Sequence, residues 1–338
     1  MQNIHNQITN NIKKIDFKKL WKDFEAVAFA LYNSEQVYFE KEVIPYDQRF
    51  IGNTTIKYND NQIAIWNLPN TENVDIDILT SKIIHEMFHA YQMINSEKRW
   101  PNEYHALDYS YSVDNLTQKY AETSILIEAY KNQSYKHFLE FIKMRQTRQH
   151  RFPEEVIYEQ KIETVEGMAN FIELQALKQL DNQKYTSELD KIINSLTKEE
   201  SYIPIRMLSY HIGVLIMETA HLLGLDLDHN ISNNKTPLVQ LLDLPITENF
   251  DGHQSTTFDY AKIEGYKKNI EKSISNVLLH FSSETTFTEI KGLDPLNTFK
   301  IDDKIYFKHF VMYEITGEIK FIMGSSVANL NTNKIYTL

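Results

Sequence analysis

The chain has no cysteine in its 338 residues, and few glycines (9) or prolines (8). Without thiols, disulfides and cysteine metal sites are excluded, so any transition metal must be held by His, Asp or Glu. So few loop breakers in a long chain favour helices over many short strands. No basic stripe stands out against the net charge of -11, which argues against a nucleic-acid partner. The negative charge itself reads as a solvated surface. No run approaches the roughly 18 uninterrupted apolar residues of a membrane span. Met1 to Lys19 is polar and lacks the apolar core of a secretory signal, so a cytoplasmic location is expected.

What is present is an ordinary globular composition, 42% hydrophobic and 24% charged, in a chain long enough for about two units. The periodicity predicts a helix over 8–24. Strands are predicted at Ala26 to Tyr32 and Gln36 to Phe39, and a hairpin at Thr54 to Tyr58 and Gln62 to Trp66 turning on Asn59, Asp60 and Asn61. Asp75 or Asp77 can cap a helix running to Ile94. Further helices are expected near 113–131, 134–148, 154–180, 185–196, 204–224 and 258–281. The last 55 residues change character: Thr285 to Ile290, Lys304 to Tyr313 and Glu318 to Met323 read as a small antiparallel β appendage. The fold class is therefore mainly α, with a small N-terminal β-sheet and a C-terminal antiparallel β appendage. A main domain over 1–250 and a connecting helix plus appendage over 251–338 are expected.

The chemistry is concentrated in His85-Glu86-Met87-Phe88-His89, an H-E-x-x-H motif in a helical pattern with uncharged flanks. At i and i+4 both imidazoles lie on one helix face and can reach one ion. Glu86 points about 100° away, outside the ligand set but within reach of a metal-bound water. Zinc (Zn2+) would lower the pKa of that water, and Glu86 would take its proton and pass it to the leaving amine. The bland alternative is a pair of packed helix histidines bonded to their neighbours.

A catalytic zinc needs a third protein ligand. The extended motif with a third His is absent, because Gln92 and Asn95 stand where Gly and His are required. Candidates lie in the segment Glu159 to Glu173, where Glu159, Glu163 and Glu166 share one helical face at i, i+4 and i+7. The bland reading of this face is pairing with the basic residues Arg145, Arg148 and Arg151. The two readings are compatible if Glu159 or Glu163 takes the arginines and Glu166 takes the metal.

Together, H-E-x-x-H and Glu166-Gly167-Met168-Ala169-Asn170-Phe171 resemble the gluzincin metallopeptidases of the peptidase MA-like branch, with their E-G-x-A-x-[YF] segment. The resemblance covers roughly residues 55–215 and implies a zincin-like α+β fold. It implies His85, His89 and Glu166 as zinc ligands, with Glu163 as the alternative, and small Gly167 and Ala169 letting the two helices approach. It implies an orienting partner for a ligand histidine at Asn170, where the family carries Asp; Asn brings no charge and raises ligand basicity less. It also implies that the Gln62 to Trp66 strand offers its edge to an extended peptide. Finally, Arg206-Met-Leu-Ser-Tyr210-His211-Ile-Gly213 resembles a Y-x-x-G helix of this branch. It marks Tyr210, or else His211, as the oxyanion donor.

The expected function is zinc-dependent cleavage of peptide bonds in a peptide or protein substrate. No G-x-M-E-N stretch precedes the motif, so endopeptidase action is expected. Two other functions fit the same residues: a zincin-fold binding module with little or no catalysis, and a hydrolase of non-peptide amides.

Overall fold

A computed structural model describes residues 1–242, 244 and 258–338. The expected boundary between 250 and 251 lies outside the described residues. About half of the chain is helical, with a small N-terminal sheet and antiparallel strands at the C-terminal end, the architecture expected from the residue patterns.

The chain opens on α1 (Gln2–Ile12) and a short α2 (Phe17–Leu20) in place of one helix over 8–24. Asp16 between them takes an extended backbone; short polar residues favour helix ends over helix interiors. Strands β1 (Phe29–Tyr32), β2 (Gln36–Phe39), β3 (Glu42–Pro45), β4 (Thr54–Tyr58) and β5 (Asn61–Asn67) form one sheet in the order β3-β2-β1-β5-β4. The β4–β5 hairpin turns on Asn59 and Asp60 at φ 47° and 63°, a left-handed conformation that Asn and Asp tolerate. Side chains alternate between two cores: Phe29, Leu31 and Ala64 face the helices, while Ala30, Tyr32, Ile63 and Ile65 pack on the other face.

This sheet corrects one expectation. β5 is not an edge: Ala64 pairs with Phe29 of parallel β1 and with Thr55 of antiparallel β4. Its run Ile63-Ala64-Ile65 is buried on both faces, the signature of a strand inside a sheet. The free edges belong to β3 and β4.

Helix α3 (Ile76–Ile94) lies against β5 and β4. Asp75 caps it, its carboxylate accepting the N–H groups of Asp77 and Ile78. The helical body follows: α4 (Val113–Lys131), α5 (Tyr135–Arg151), α6 (Pro153–Ile162), α7 (Met168–Leu180), α8 (Asn182–Leu196) and α9 (Ile205–Leu222). The single helix expected over 154–180 runs as α6 and α7 joined by one π-helical turn, Glu163–Gly167. α7 packs against both α3 and α9.

Helix α10 (Ala261–His280) leads to eight strands. These are β6 (Ser283–Thr286), β7 (Glu289–Leu293), β8 (Thr298–Ile301), β9 (Lys304–Phe307), β10 (Phe310–Ile315), β11 (Glu318–Met323), β12 (Ser326–Asn329) and β13 (Lys334–Thr337). They make two antiparallel sheets, β11-β10-β7 and β6-β13-β12-β9-β8. The expected strands 285–290 and 304–313 each divide in two because the chain steps from one sheet to the other at those points. Phe287, Ile290, Phe307, Val311 and Ile335 share one core, and α10 covers the larger sheet through Ile274 and Val277 on Tyr306 and Val327. The appendage is tied to the body by Tyr104, which donates to the Ile290 carbonyl at 2.7 Å, and by a Lys300–Asp108 ion pair at 2.6 Å. Among the described residues no helix is long and apolar enough to cross a membrane.

Candidate metal centre

α3 presents His85 and His89 on one face, and the π turn before α7 presents Glu166 towards them. Nε2 of His89 lies 3.0 Å from Nε2 of His85 and 3.2 Å from Oε2 of Glu166; His85 Nε2 lies 3.8 Å from the same oxygen. All three side chains are buried, and together they could hold a metal ion.

Each imidazole is oriented from behind. Gln92, fully buried, donates its amide N–H to the Val165 carbonyl at 3.0 Å, which leaves its Oε1 facing His89 Nδ1 at 2.7 Å. The Nδ1 proton is therefore committed to Gln92, and Nε2 of His89 is the free ligating atom. Behind His85 lies Glu173, whose Oε2 stands 3.2 Å from Nδ1, an ion-pair distance without the alignment of a hydrogen bond. Burial alone would depress the His85 pKa, but Glu166 and Glu173 override it and lift it to about 10.

Glu166 is split between two partners. Its Oε2 faces the histidines while Oε1 accepts from Arg206 Nη2 at 2.9 Å. Burial pushes its carboxyl up, but His89, His85 and Arg206 hold it well below the usual carboxylate range. Arg206 also pairs with both oxygens of Glu103, at 2.7 and 2.6 Å, and its Nε–H donates to the Tyr210 hydroxyl at 3.1 Å. Glu86, beside the triad, forms no hydrogen bond or ion pair among the described residues. Its burial holds the carboxyl above the usual range, against the opposing pull of His85 and His89.

Two glycines set the approach of these elements. A Cβ on Gly167 would come within 2.6 Å of the Gly213 Cα, and one on Gly213 within 2.6 Å of the Glu163 carbonyl oxygen. Gly167 thus opens the way to α9, not to α3 as the family pattern implied. Arg206, Tyr210 and Gly213 fall at i, i+4 and i+7 on α9, so the glycine contact brings Arg206 and Tyr210 to Glu166.

Four other expected roles change. Glu163 is neither ligand nor orienting group, because its carboxylate is engaged by Arg145 and lies 3.5 Å from Lys119. The Asn170 side chain forms no hydrogen bond among the described residues; the position beside His85 Nδ1 is taken by Glu173, one turn further on. His211 projects elsewhere, with Nδ1 2.7 Å from Ser195 Oγ, and burial lowers its pKa to about 4. Arg151 pairs at the surface with Asp114 and stays out of the arginine cluster.

That cluster lies behind the π turn. Lys119, Arg145 and Arg148 meet Glu122, Glu159 and Glu163, three charges of each sign, all almost fully buried. Lys119 and Glu122 come from α4, where no sequence pattern pointed to them. A visible signal was their i, i+3 spacing.

No protein-family model matches the chain, and neither does any curated protein or any solved structure.

Proposed function

We propose that the chain is a zinc-dependent peptidase of the gluzincin type. The observation that carries this is the convergence of His85, His89 and Glu166 beside a buried, ionically unpaired Glu86. The spacing supports zinc: ligands about 2.0–2.1 Å from a tetrahedral ion stand about 3.3–3.4 Å apart. The three separations here are 3.0, 3.2 and 3.8 Å. Two imidazoles and one carboxylate are also the donor set of a hydrolytic zinc site.

Zinc in that position supplies Lewis acidity towards a water molecule and an amide carbonyl. The rest falls to the chain. Glu86, with its pKa raised by burial, suits both halves of a proton shuttle: it accepts from water and donates to the departing amine. Gln92 and Glu173 fix the two imidazoles, and Arg206 holds the far oxygen of Glu166 so that one oxygen faces the histidines. Tyr210 is the donor for the developing oxyanion, its hydroxyl close to Arg206 and Glu166.

Glu86→Gln keeps stoichiometric zinc by elemental analysis and loses about 10²–10⁴-fold in cleavage of a responsive peptide. Cleavage by that variant at the wild-type rate overturns the mechanism. Glu166→Ala loses stoichiometric zinc. One observation favours a second reading, a zincin-fold binding module without turnover: the Tyr210 hydroxyl accepts from Arg206 and faces the Glu166 carboxylate, which draws its proton away from a substrate. Full zinc occupancy with no cleavage across a broad peptide library selects that reading.

A further inference from the structure

A cavity of about 250 Å³ lies where the appendage meets the helical body. The 106–111 segment, the start of α9, one face of α10 and the β8 region wall it. Its apolar lining is large and partly aromatic, including Tyr111, Ile205, Tyr266, Ile270, Phe299 and Ile301. Of its charged groups, Arg206 is neutralised by Glu103 and Glu166, and Lys300 by Asp108. Three remain without an ion pair among the described residues: Lys267, Glu271 and Asp302. The Lys267 ammonium is satisfied only by neutral oxygens, the Tyr260 hydroxyl at 2.9 Å and the Tyr111 carbonyl at 3.4 Å. Lys267 is half-buried, while Glu271 and Asp302 are exposed at the mouth.

Two further observations point to a ligand. Thr298 lines the cavity, is only 5% exposed, and its hydroxyl has no hydrogen-bond partner. An orphaned buried hydroxyl is costly unless something bonds it. Helix α9, 18 residues long, begins at this wall on Pro204; its Ile205 N–H donates to the Tyr111 hydroxyl at 3.1 Å, and the positive end of its dipole adds to Lys267.

We propose that this cavity binds one free amino acid with an apolar or aromatic side chain, as its zwitterion. The carboxylate is taken by Lys267, the Thr298 hydroxyl and the α9 N-terminus, and the ammonium by Glu271. Lys267 and Glu271 are one turn apart on α10, about 5–6 Å between Cβ atoms, a span that an α-amino acid bridges with its two charges. The side chain fills the aromatic wall. Size agrees: an apolar cavity of about 150 Å³ admits benzene, so this one takes a ring with an amino-acid backbone attached. A simple anion leaves the two mouth carboxylates repelling it, and a simple cation meets Lys267. The binding site stands independently of the proposed peptidase activity. If that reading holds, Arg206 links the two sites, since it walls this cavity and holds Glu166.

The test is calorimetric titration of the full-length protein with L-phenylalanine, 3-phenylpropanoate and phenethylamine, which share the ring and differ in charge. L-Phenylalanine is expected to give saturable one-to-one binding, with the two analogues each at least about tenfold weaker, the order expected for a lost charge-assisted bond. Lys267→Gln, which keeps a donor towards the Tyr260 hydroxyl, and Glu271→Gln at the exposed mouth should each weaken L-phenylalanine about tenfold. Ala106→Phe, which fills the cavity, should abolish binding with the melting temperature retained. No saturation by L-phenylalanine below about 10 mM overturns the proposal. So does an analogue that binds as tightly as the amino acid, or binding unaltered in all three variants.

Discussion

Among the described glycines, Gly167 and Gly213 are predicted to be the least replaceable, and the reason can be worked out in ångströms. A methyl on Gly213 meets the Glu163 carbonyl oxygen at 2.6 Å and the Gly167 Cα at 2.7 Å. Both are backbone atoms, so no side chain can swing aside. Restoring ordinary contact, which begins at 3.4 Å, requires α9 and the π turn to separate by about 0.8 Å. Overpacking of this kind costs about 1–3 kcal/mol, or roughly 1–4 °C in melting temperature at this chain length. The displacement also falls on Glu166, one residue before Gly167. Metal ligands tolerate only about 0.2 Å before affinity suffers. Gly213→Ala should therefore lower both the melting temperature and zinc affinity, the latter read by competition with a chromophoric chelator. Gly167→Ala should do the same, and the double variant should cost less than the two singles summed, because both methyls open one contact. Gly265→Ala is the control: nothing lies within 4 Å of a Cβ there, it sits inside α10, and alanine should stabilise the helix by up to about 1 kcal/mol. A Gly213→Ala protein with wild-type melting and wild-type zinc affinity would refute the packing argument.

Glu173→Gln should weaken metal binding about 10–100-fold by loosening His85, whereas Asn170→Ala should leave it unchanged; chelator competition distinguishes the two. Glu122→Gln should cost about 3–5 kcal/mol in urea unfolding, because Arg145 and Arg148 lose a shared buried counter-charge. His211 stays neutral when folded, its pKa lowered by burial to about 4 from 6.5. The folded value lies below the unfolded one, so His211 contributes stability that is present above pH 6.5 and is lost as pH falls towards 4, up to about 3 kcal/mol. His211→Asn should flatten the stability profile in that window.

Long periodic helices and the histidine pair were legible because each needs only one local pattern. α3 with its Asp75 cap and α4 over Val113–Lys131 fall where their residues placed them. The chemistry of His85 and His89 follows from i, i+4 spacing on such a helix. What was illegible depends on what is packed alongside. β3, β8, β12 and β13 are four-residue strands whose burial is decided by neighbours far away in sequence. β5 looks like any strand until β1 lies beside it. Gln92 entered only as a departure from a longer motif, yet its two hydrogen bonds join the histidine helix to the π turn. Arg206 and Glu103 are 103 residues apart, and only the fold brings them together.

The acidic face of α6 shows most clearly how structure divides what sequence leaves equivalent. On a regular α-helix Glu159, Glu163 and Glu166 point the same way, and nothing in their spacing says which one meets a metal. The π turn at Glu163–Gly167 breaks that equivalence. An i→i+5 turn holds about one residue more than an α turn, which rotates everything beyond it by about 100°. Glu159 and Glu163 stay with Lys119, Arg145 and Arg148, while Glu166 turns to the histidines and Arg206. The buried cluster balances three positive charges with three negative ones. Its arginines therefore leave Glu166 to its own partners. Deleting Thr164 removes the extra residue of the turn, so in the straight helix that results Glu166 stands six residues after Glu159 and still faces away from the arginines. Such a variant should keep metal and keep its helical content by circular dichroism. If it lost metal while the helix stayed intact, the rotation introduced by the π turn would not be what selects the ligand.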